Sequence, residues 1–96
     1  MRVVVVGGGG REHALIWRLS QSASVTELHA APGSGAIGRL ATCHNVAVDD
    51  VSGQLDLARS LQAELVVIGP EAPLVAGLAN QLRAAGIATV GPDAAA

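Results

Sequence analysis

The sequence contains almost no aromatic residues, a single cysteine and no lysine. Phe and Tyr are absent and Trp17 is the one aromatic ring, yet 50% of the 96 residues are hydrophobic, so Val, Leu, Ile and Ala must build the core. Small aliphatic side chains of this kind suit a closely packed parallel sheet that is covered by helices. Because Cys43 has no second cysteine to pair with, the chain has no internal disulfide bond and fits a reducing compartment.

Charge and hydropathy narrow the class of protein further. The six basic residues are all arginines scattered from Arg2 to Arg83, and the formal net charge is −2, so the sequence has no basic patch for nucleic acid. The run of four valines, Val3 to Val6, is too short for the apolar core of a signal sequence or for a membrane span. We therefore expect a soluble, cytoplasmic domain with neither a nucleic-acid nor a membrane partner.

The most informative segment is the point where the valine run meets glycine. Val3–Val6 lead directly into Gly7–Gly10, and Arg11, Glu12 and His13 follow. A strand that ends in glycines and continues as a helix lets backbone N–H groups approach an anion at the helix N-terminus. The same glycines could form a bare turn, but four in a row exceed what a turn needs. We therefore favour a phosphate site for a small molecule.

Strand and helix patterns alternate along the chain, which predicts an open α/β sheet with right-handed crossovers. We expect a Rossmann-like parallel sheet of about five strands in the order 3-2-1-4-5, with helices on both faces. The strands are predicted at residues 2–6, 27–31, 45–48, 65–68 and 87–90. The helices are predicted at residues 11–22, from Asp50 or Ser52 to residue 63, and from Pro73 to just before Gly86. We expect this domain to span residues 1–92, and Asp93–Ala96 to start a following helix of a longer protein.

Ligands of such sheets bind outside the carboxyl ends of the strands, where the winding reverses. In the predicted order three loops meet there, and all are rich in glycine or proline: Gly7–Arg11, Pro32–Gly35 and Gly69–Pro73. In the third loop Glu71 stands between two prolines, and its carboxylate is suited to accept hydrogen bonds from ribose hydroxyls or an amine. The site is therefore predicted at this edge of the sheet.

Two other classes of protein stay open on this pattern. The nucleotide-binding Rossmann domain of an oxidoreductase fits less well, because Glu12 or His13 stands where the G-x-G-x-x-G pattern needs its third small residue. The second predicted strand also ends without an acid for the adenosine ribose. A Walker A loop is excluded, since no Gly-Lys-Ser/Thr follows the glycines. A non-catalytic module that binds a phosphate ligand is the other alternative.

Two longer strings carry a family resemblance. The strings GGGGREHA at residues 7–14 and GPEAPLVAG at residues 69–77 resemble the N-terminal domain of phosphoribosylamine–glycine ligases. The string NVAVD at residues 45–49 and the closing GPDAAA are similar to that family too, so the resemblance covers the whole chain. The sequence departs from it in PGSGAI at residues 32–37, where the family has PGNAGT and Ser34 replaces an asparagine.

The resemblance implies a purine-biosynthesis ligase of the ATP-grasp superfamily, which joins 5-phosphoribosylamine to glycine with ATP and gives glycinamide ribonucleotide, ADP and phosphate. It implies that this domain helps to bind the phosphoribosyl substrate, while ATP and Mg²⁺ or Mn²⁺ bind to an ATP-grasp domain in the rest of the same ligase chain. We therefore expect no cofactor, no metal ligand, no catalytic residue and no ligase activity in this chain alone. The residues expected to bind the substrate are Gly8, Gly9, Gly10, Arg11, Glu12, Pro32, Gly33, Gly69, Pro70 and Glu71.

Overall fold

The computed structural model describes residues 1–69 and 76–91 of the chain. Its strands are β1 (Arg2–Gly7), β2 (Glu27–Pro32), β3 (Thr42–Cys43), β4 (Leu65–Ile68) and β5 (Ala88–Val90). They form one parallel sheet in the order β3-β2-β1-β4-β5. This order confirms the predicted topology and the Rossmann-like α/β class.

Three α-helices connect the strands in the described part of the chain: α1 (Gly10–Ser20), α2 (Val51–Ser60) and α3 (Ala76–Ala84). Asp50 rather than Ser52 caps α2, because its Oδ1 accepts a hydrogen bond from the N–H of Gly53 at 3.0 Å. The helix starts predicted at Pro73 and Asp93 lie outside the described residues. None of the described helices is long and apolar enough to cross a membrane.

The central strand β1 is buried on both faces of the sheet. Its valines from Val3 to Val6 are each at most 1% exposed. Val3 and Val5 pack in one apolar cluster with Ile16 of α1, whereas Val4 and Val6 pack in a second cluster with residues of α2 and α3. Helices therefore cover both faces, which is why β1 is a continuous apolar run instead of an alternating one.

The prediction of the third strand at residues 45–48 is wrong, because β3 covers Thr42–Cys43. The pairing of β3 with β2 is limited to Thr42–Cys43, and the N–H of His44 donates the last ladder bond to the carbonyl of Ala30 at 2.9 Å. The next bond of a parallel ladder would need an N–H on Pro32, and proline has none. The N–H of Val46 instead turns back to the carbonyl of His44 at 2.8 Å, so the chain leaves the sheet there.

Candidate functional site

The carboxyl ends of β1, β2 and β4 meet at one edge of the sheet, where the winding reverses. Gly7 at the end of β1 pairs with Pro32 of β2, and its carbonyl accepts a hydrogen bond from the N–H of Gly33 at 3.0 Å. On the other side, the N–H of Gly69 donates to the carbonyl of Val6 at 2.9 Å. The predicted site residues of the first two loops and Gly69 therefore lie together. Pro70 and Glu71 lie outside the described residues, so their predicted roles stay predictions.

The backbones of the first two loops touch at Gly8 and Gly33. A Cβ atom at Gly8 would collide with the carbonyl oxygen of Gly33, so glycine is required at position 8 by the packing of the protein itself. Gly33 has a φ of +73°, and a Cβ there would collide with the Sγ of Cys43. These two glycines hold the loops against each other.

Gly10 differs from those glycines because it borders open space. It is the exposed first residue of α1, and in the described part of the chain, apart from its neighbours and the backbone of its own helix, no atom lies within 4 Å of the position that a Cβ would take. The first hydrogen bond of α1 runs from the N–H of His13 to the carbonyl of Gly9 at 3.0 Å. Among the described residues, none accepts a hydrogen bond from the N–H of Gly8 or Gly10. Free N–H groups at a helix N-terminus, with the helix dipole behind them, can bind an anion.

Glu12 lies beneath this loop instead of facing the solvent. It is 1% exposed, and its Oε1 accepts a hydrogen bond from the N–H of Gly9 at 3.0 Å. Its side chain fills the junction of β1 and β4 so closely that a Cβ at Gly7 or Gly69 would collide with it. Its Oε2 is buried without a hydrogen-bond partner in the described part of the chain. Glu12 therefore acts as a first-turn acid that caps α1, and its predicted contact with a substrate is untested.

The side chain of Ser34, where the sequence departs from the family, makes a local hydrogen bond. The Oγ of Ser34 accepts a hydrogen bond from the N–H of Ile37 at 3.2 Å, where the short 3₁₀ turn Ile37–Arg39 begins. The exposed thiol of Cys43 lies beside the same loop, with its Sγ 3.6 Å from the carbonyl oxygen of Ser34. The serine side chain thus supports the turn.

His29 and His44 join β2 to the segment that follows β3. The Nδ1 of His29 lies 2.9 Å from the Nε2 of His44, and the Nε2 of His29 lies 3.2 Å from the Oε1 of Glu27. Partial burial and the neighbouring His29 ring lower the pKa of His44 below its ordinary value of 6.5. Within residues 1–69 and 76–91, no group of three or more His, Cys, Asp or Glu side chains is placed to hold a metal ion.

Sequence reasoning missed Gln54, which is buried in α2. Its side chain is 2% exposed, and its Nε2 donates to the carbonyls of Ala31, Val46 and Ala47. The signal available in the sequence was its spacing, because Gln54 lies one turn before Ala58 on the face of α2 that turns inward. A polar residue on an apolar helix face is a sign of a buried hydrogen-bonding role.

The fold defines a Rossmann-like α/β domain with a glycine-rich loop at the edge of the sheet where the winding reverses. All of residues 1–96 match the family model described as "Phosphoribosylglycinamide synthetase, N domain", so the chain belongs to that family. The resemblance seen in the sequence is confirmed.

Curated relatives agree with the family match. The chain is 52% identical over 96 residues to the phosphoribosylamine–glycine ligase of Agrobacterium fabrum, with 100% of this chain and 23% of the relative aligned. It is 53% identical to the ligase of the same name from Corynebacterium ammoniagenes, over 98% of this chain and 22% of the relative. The more distant ligase of Caldanaerobacter subterraneus is 41% identical over 97% of this chain. The chain spans less than a quarter of the length of these relatives.

Proposed function

We propose that this chain is the part of a phosphoribosylamine–glycine ligase that holds the phosphoribosyl substrate. The observation that carries the proposal is the open space over Gly10, at the N-terminus of α1 and at the switch point of the sheet. The N–H groups of Gly8 and Gly10 bind the 5-phosphate there, and the exposed guanidinium of Arg11 adds a positive charge to the same turn.

The ribose and its amine lie towards the other two loops in this proposal. The loop at Pro32 and Gly33 forms one wall, and Gly69 leads into Pro70 and Glu71, whose carboxylate accepts hydrogen bonds from the ribose hydroxyls or the amine. The substrate amine is thereby presented to the remainder of the ligase chain. ATP with Mg²⁺ or Mn²⁺ binds in that remainder, where the glycine carboxylate is activated, so this chain by itself binds substrate and does not ligate. We assign the ligase to the cytoplasm.

The buried Glu12 argues against the oxidoreductase alternative. A dinucleotide-binding loop needs a small residue where α1 packs on the sheet, whereas here a carboxylate side chain fills the junction of β1 and β4.

Calorimetric titration of the chain tests the proposal. Ribose 5-phosphate, a stable analogue of the substrate that lacks the amine, is expected to bind, while ribose without the phosphate is expected to bind far more weakly. NAD serves as the competitor from the alternative class. If NAD binds more tightly than ribose 5-phosphate, or if neither sugar binds at all, the proposal is wrong.

A further inference from the structure

We infer that Gln54 is a positioning residue for the anion-binding loop, an inference that rests on the function proposed above. The side chain of Gln54 lies on α2, away from the open space over Gly10, and it reaches the loop through the backbone of β2. The contact that connects it to the loop is with the carbonyl of Ala31, which accepts a hydrogen bond from Nε2 at 3.2 Å. Ala31 is directly followed by Pro32 and Gly33, the second of the three predicted loops.

The orientation of the Gln54 amide is fixed by its surroundings. Nε2 lies within 3.0–3.3 Å of the carbonyl oxygens of Ala31, Val46 and Ala47. A reversed amide would place Oε1 against those oxygens, with acceptors facing acceptors. The amide has only two N–H hydrogens, so the three carbonyls share them. Gln54 thus ties the end of β2 to the segment that runs from β3 to α2.

The same observations show what an apolar side chain would lose at this position. Oε1 of Gln54 is buried without a hydrogen-bond partner in the described part of the chain, which is unfavourable. An apolar residue would avoid that loss but would leave the three carbonyls without this donor. The hydrogen bonds that Nε2 donates to these carbonyls therefore account for the amide at this position.

A short chain of contacts carries the position of Ala31 to the loop. Pro32 has no N–H of its own with which to fix the backbone. The next residue, Gly33, donates its N–H to Gly7 at 3.0 Å and presses its carbonyl oxygen against Gly8. A shift of Ala31 therefore moves Gly33, and with it the N–H of Gly8 that the proposal assigns to the phosphate.

The test compares Gln54→Met with Gln81→Met, a matched change on the exposed side of α3. Methionine keeps the length of the side chain and removes the donor. We expect Gln54→Met to raise the dissociation constant of ribose 5-phosphate by about five- to tenfold at a temperature where the variant is fully folded. The amide hydrogen of Gly33 should also exchange faster with solvent. Gln81→Met should change neither quantity.

Gln54→Glu gives a second variant of the same shape, in case the methionine variant does not fold. A neutral carboxyl group can donate one hydrogen bond to the three carbonyls, whereas the ionised form cannot donate. Burial among three carbonyl oxygens should raise the pKa of this carboxyl group above its ordinary value of about 4.3. Affinity for ribose 5-phosphate, relative to the parent at each pH, should therefore be closer to normal at about pH 5 than at about pH 8.

The outcomes separate this inference from the proposed function. If the parent chain does not bind ribose 5-phosphate, the proposed function fails, and the exchange rate of the Gly33 amide still decides whether Gln54 positions the loop. If the parent binds but a folded Gln54→Met variant binds equally well, with unchanged exchange at Gly33, the side chain has a purely structural role and the inference is overturned.

Discussion

Glu12 is buried although it lies in a segment that the sequence predicts to be exposed. It follows four glycines and an arginine, all in a segment that the sequence marks as exposed to a ligand, yet its side chain is 1% exposed. Two features stabilise a carboxylate there: the N–H of Gly9 donates to it, and it lies in the first turn of α1, where the helix dipole favours negative charge. Position 12 is therefore a structural part of the loop.

Two replacements of Glu12 should distinguish how much the shape and how much the charge of its side chain contribute to the stability of the fold. Glu12→Ala removes the cap and empties the junction of β1 and β4, so we expect a loss of about 2–3 kcal/mol in the free energy of unfolding. Glu12→Gln keeps the side-chain volume and an oxygen for Gly9, so the expected loss is about 1 kcal/mol. Urea unfolding measures both, with Asp56→Ala, an exposed acid of α2, as the control that changes stability by less than about 0.5 kcal/mol. Equal losses for the two Glu12 variants would contradict the role of the side-chain shape.

Gly10 offers the sharpest test of the phosphate position. Gly10→Ala adds a methyl group to open space, so the fold should not lose stability. If the phosphate lies over the first N–H groups of α1, that methyl group meets it, and the dissociation constant of ribose 5-phosphate should rise about tenfold or more. Gly77→Ala is the matched control, because Gly77 is also a helical glycine with open space around its Cβ position. Unchanged affinity in a stable Gly10→Ala variant would move the phosphate away from α1.

At the scale of the elements, the sequence predicted the strands and helices whose own residues decide their structure. The valine run of β1 and the apolar run of β4 are buried parallel strands by composition alone, and both appear where expected. The short strand β3 was misplaced because its end is decided by a partner. Pro32 on β2 stops the ladder, and nothing in residues 42–48 themselves carries that information.

The contact between His29 of β2 and His44, which follows β3, should make the free energy of unfolding depend on pH. The pKa of His44 is lowered in the folded chain from 6.5, so the unfolded chain binds a proton at a higher pH than the folded chain does. This contribution to stability is fully present above about pH 6.5, decreases as the pH falls below that value, and is lost once the pH passes the lowered pKa. Urea unfolding at a series of pH values measures it.

The matched variant for this pH dependence is His44→Gln, which keeps a hydrogen-bonding side chain beside His29 but does not titrate. The decrease in stability below about pH 6.5 should be shallower in His44→Gln than in the parent chain. A variant that loses stability as steeply as the parent would show that His44 does not contribute to the slope.

For the molecule as a whole, the candidate site combines residues that the sequence could and could not reveal. The glycines at positions 7–10 and 33 can be recognised as candidate site residues from the sequence, because few roles besides a ligand site need so many glycines in loops. Gln54 could not be found in this way, since a glutamine on a helix is ordinary until the fold brings to it the carbonyl of Ala31, which is 23 residues away in the sequence. Contacts between segments far apart in sequence depend on topology, which a local pattern does not contain.

The single thiol of the chain provides a probe of the site in the intact molecule. Cys43 is exposed and lies beneath Gly33, so ribose 5-phosphate bound at these loops should slow its alkylation by N-ethylmaleimide. At a ligand concentration ten times the dissociation constant, mass action limits the slowing to about tenfold. Mass spectrometry of the adduct measures the rate, and ribose without phosphate is the control. Equal rates with and without the sugar phosphate would place the ligand elsewhere.

The contact between Gly8 and Gly33 affects two properties of ligand binding at these loops: the association rate and the loss of backbone entropy. The N–H of Gly33 is already bonded to Gly7, and the two loop backbones already touch before any ligand arrives. Little backbone freedom is left to lose on binding, so the association entropy stems mainly from the ligand and from released water. If the proposed phosphate ligand binds at these loops, we expect it to fit a shape that is already formed, with an association rate set by diffusion and charge instead of by folding of the loop.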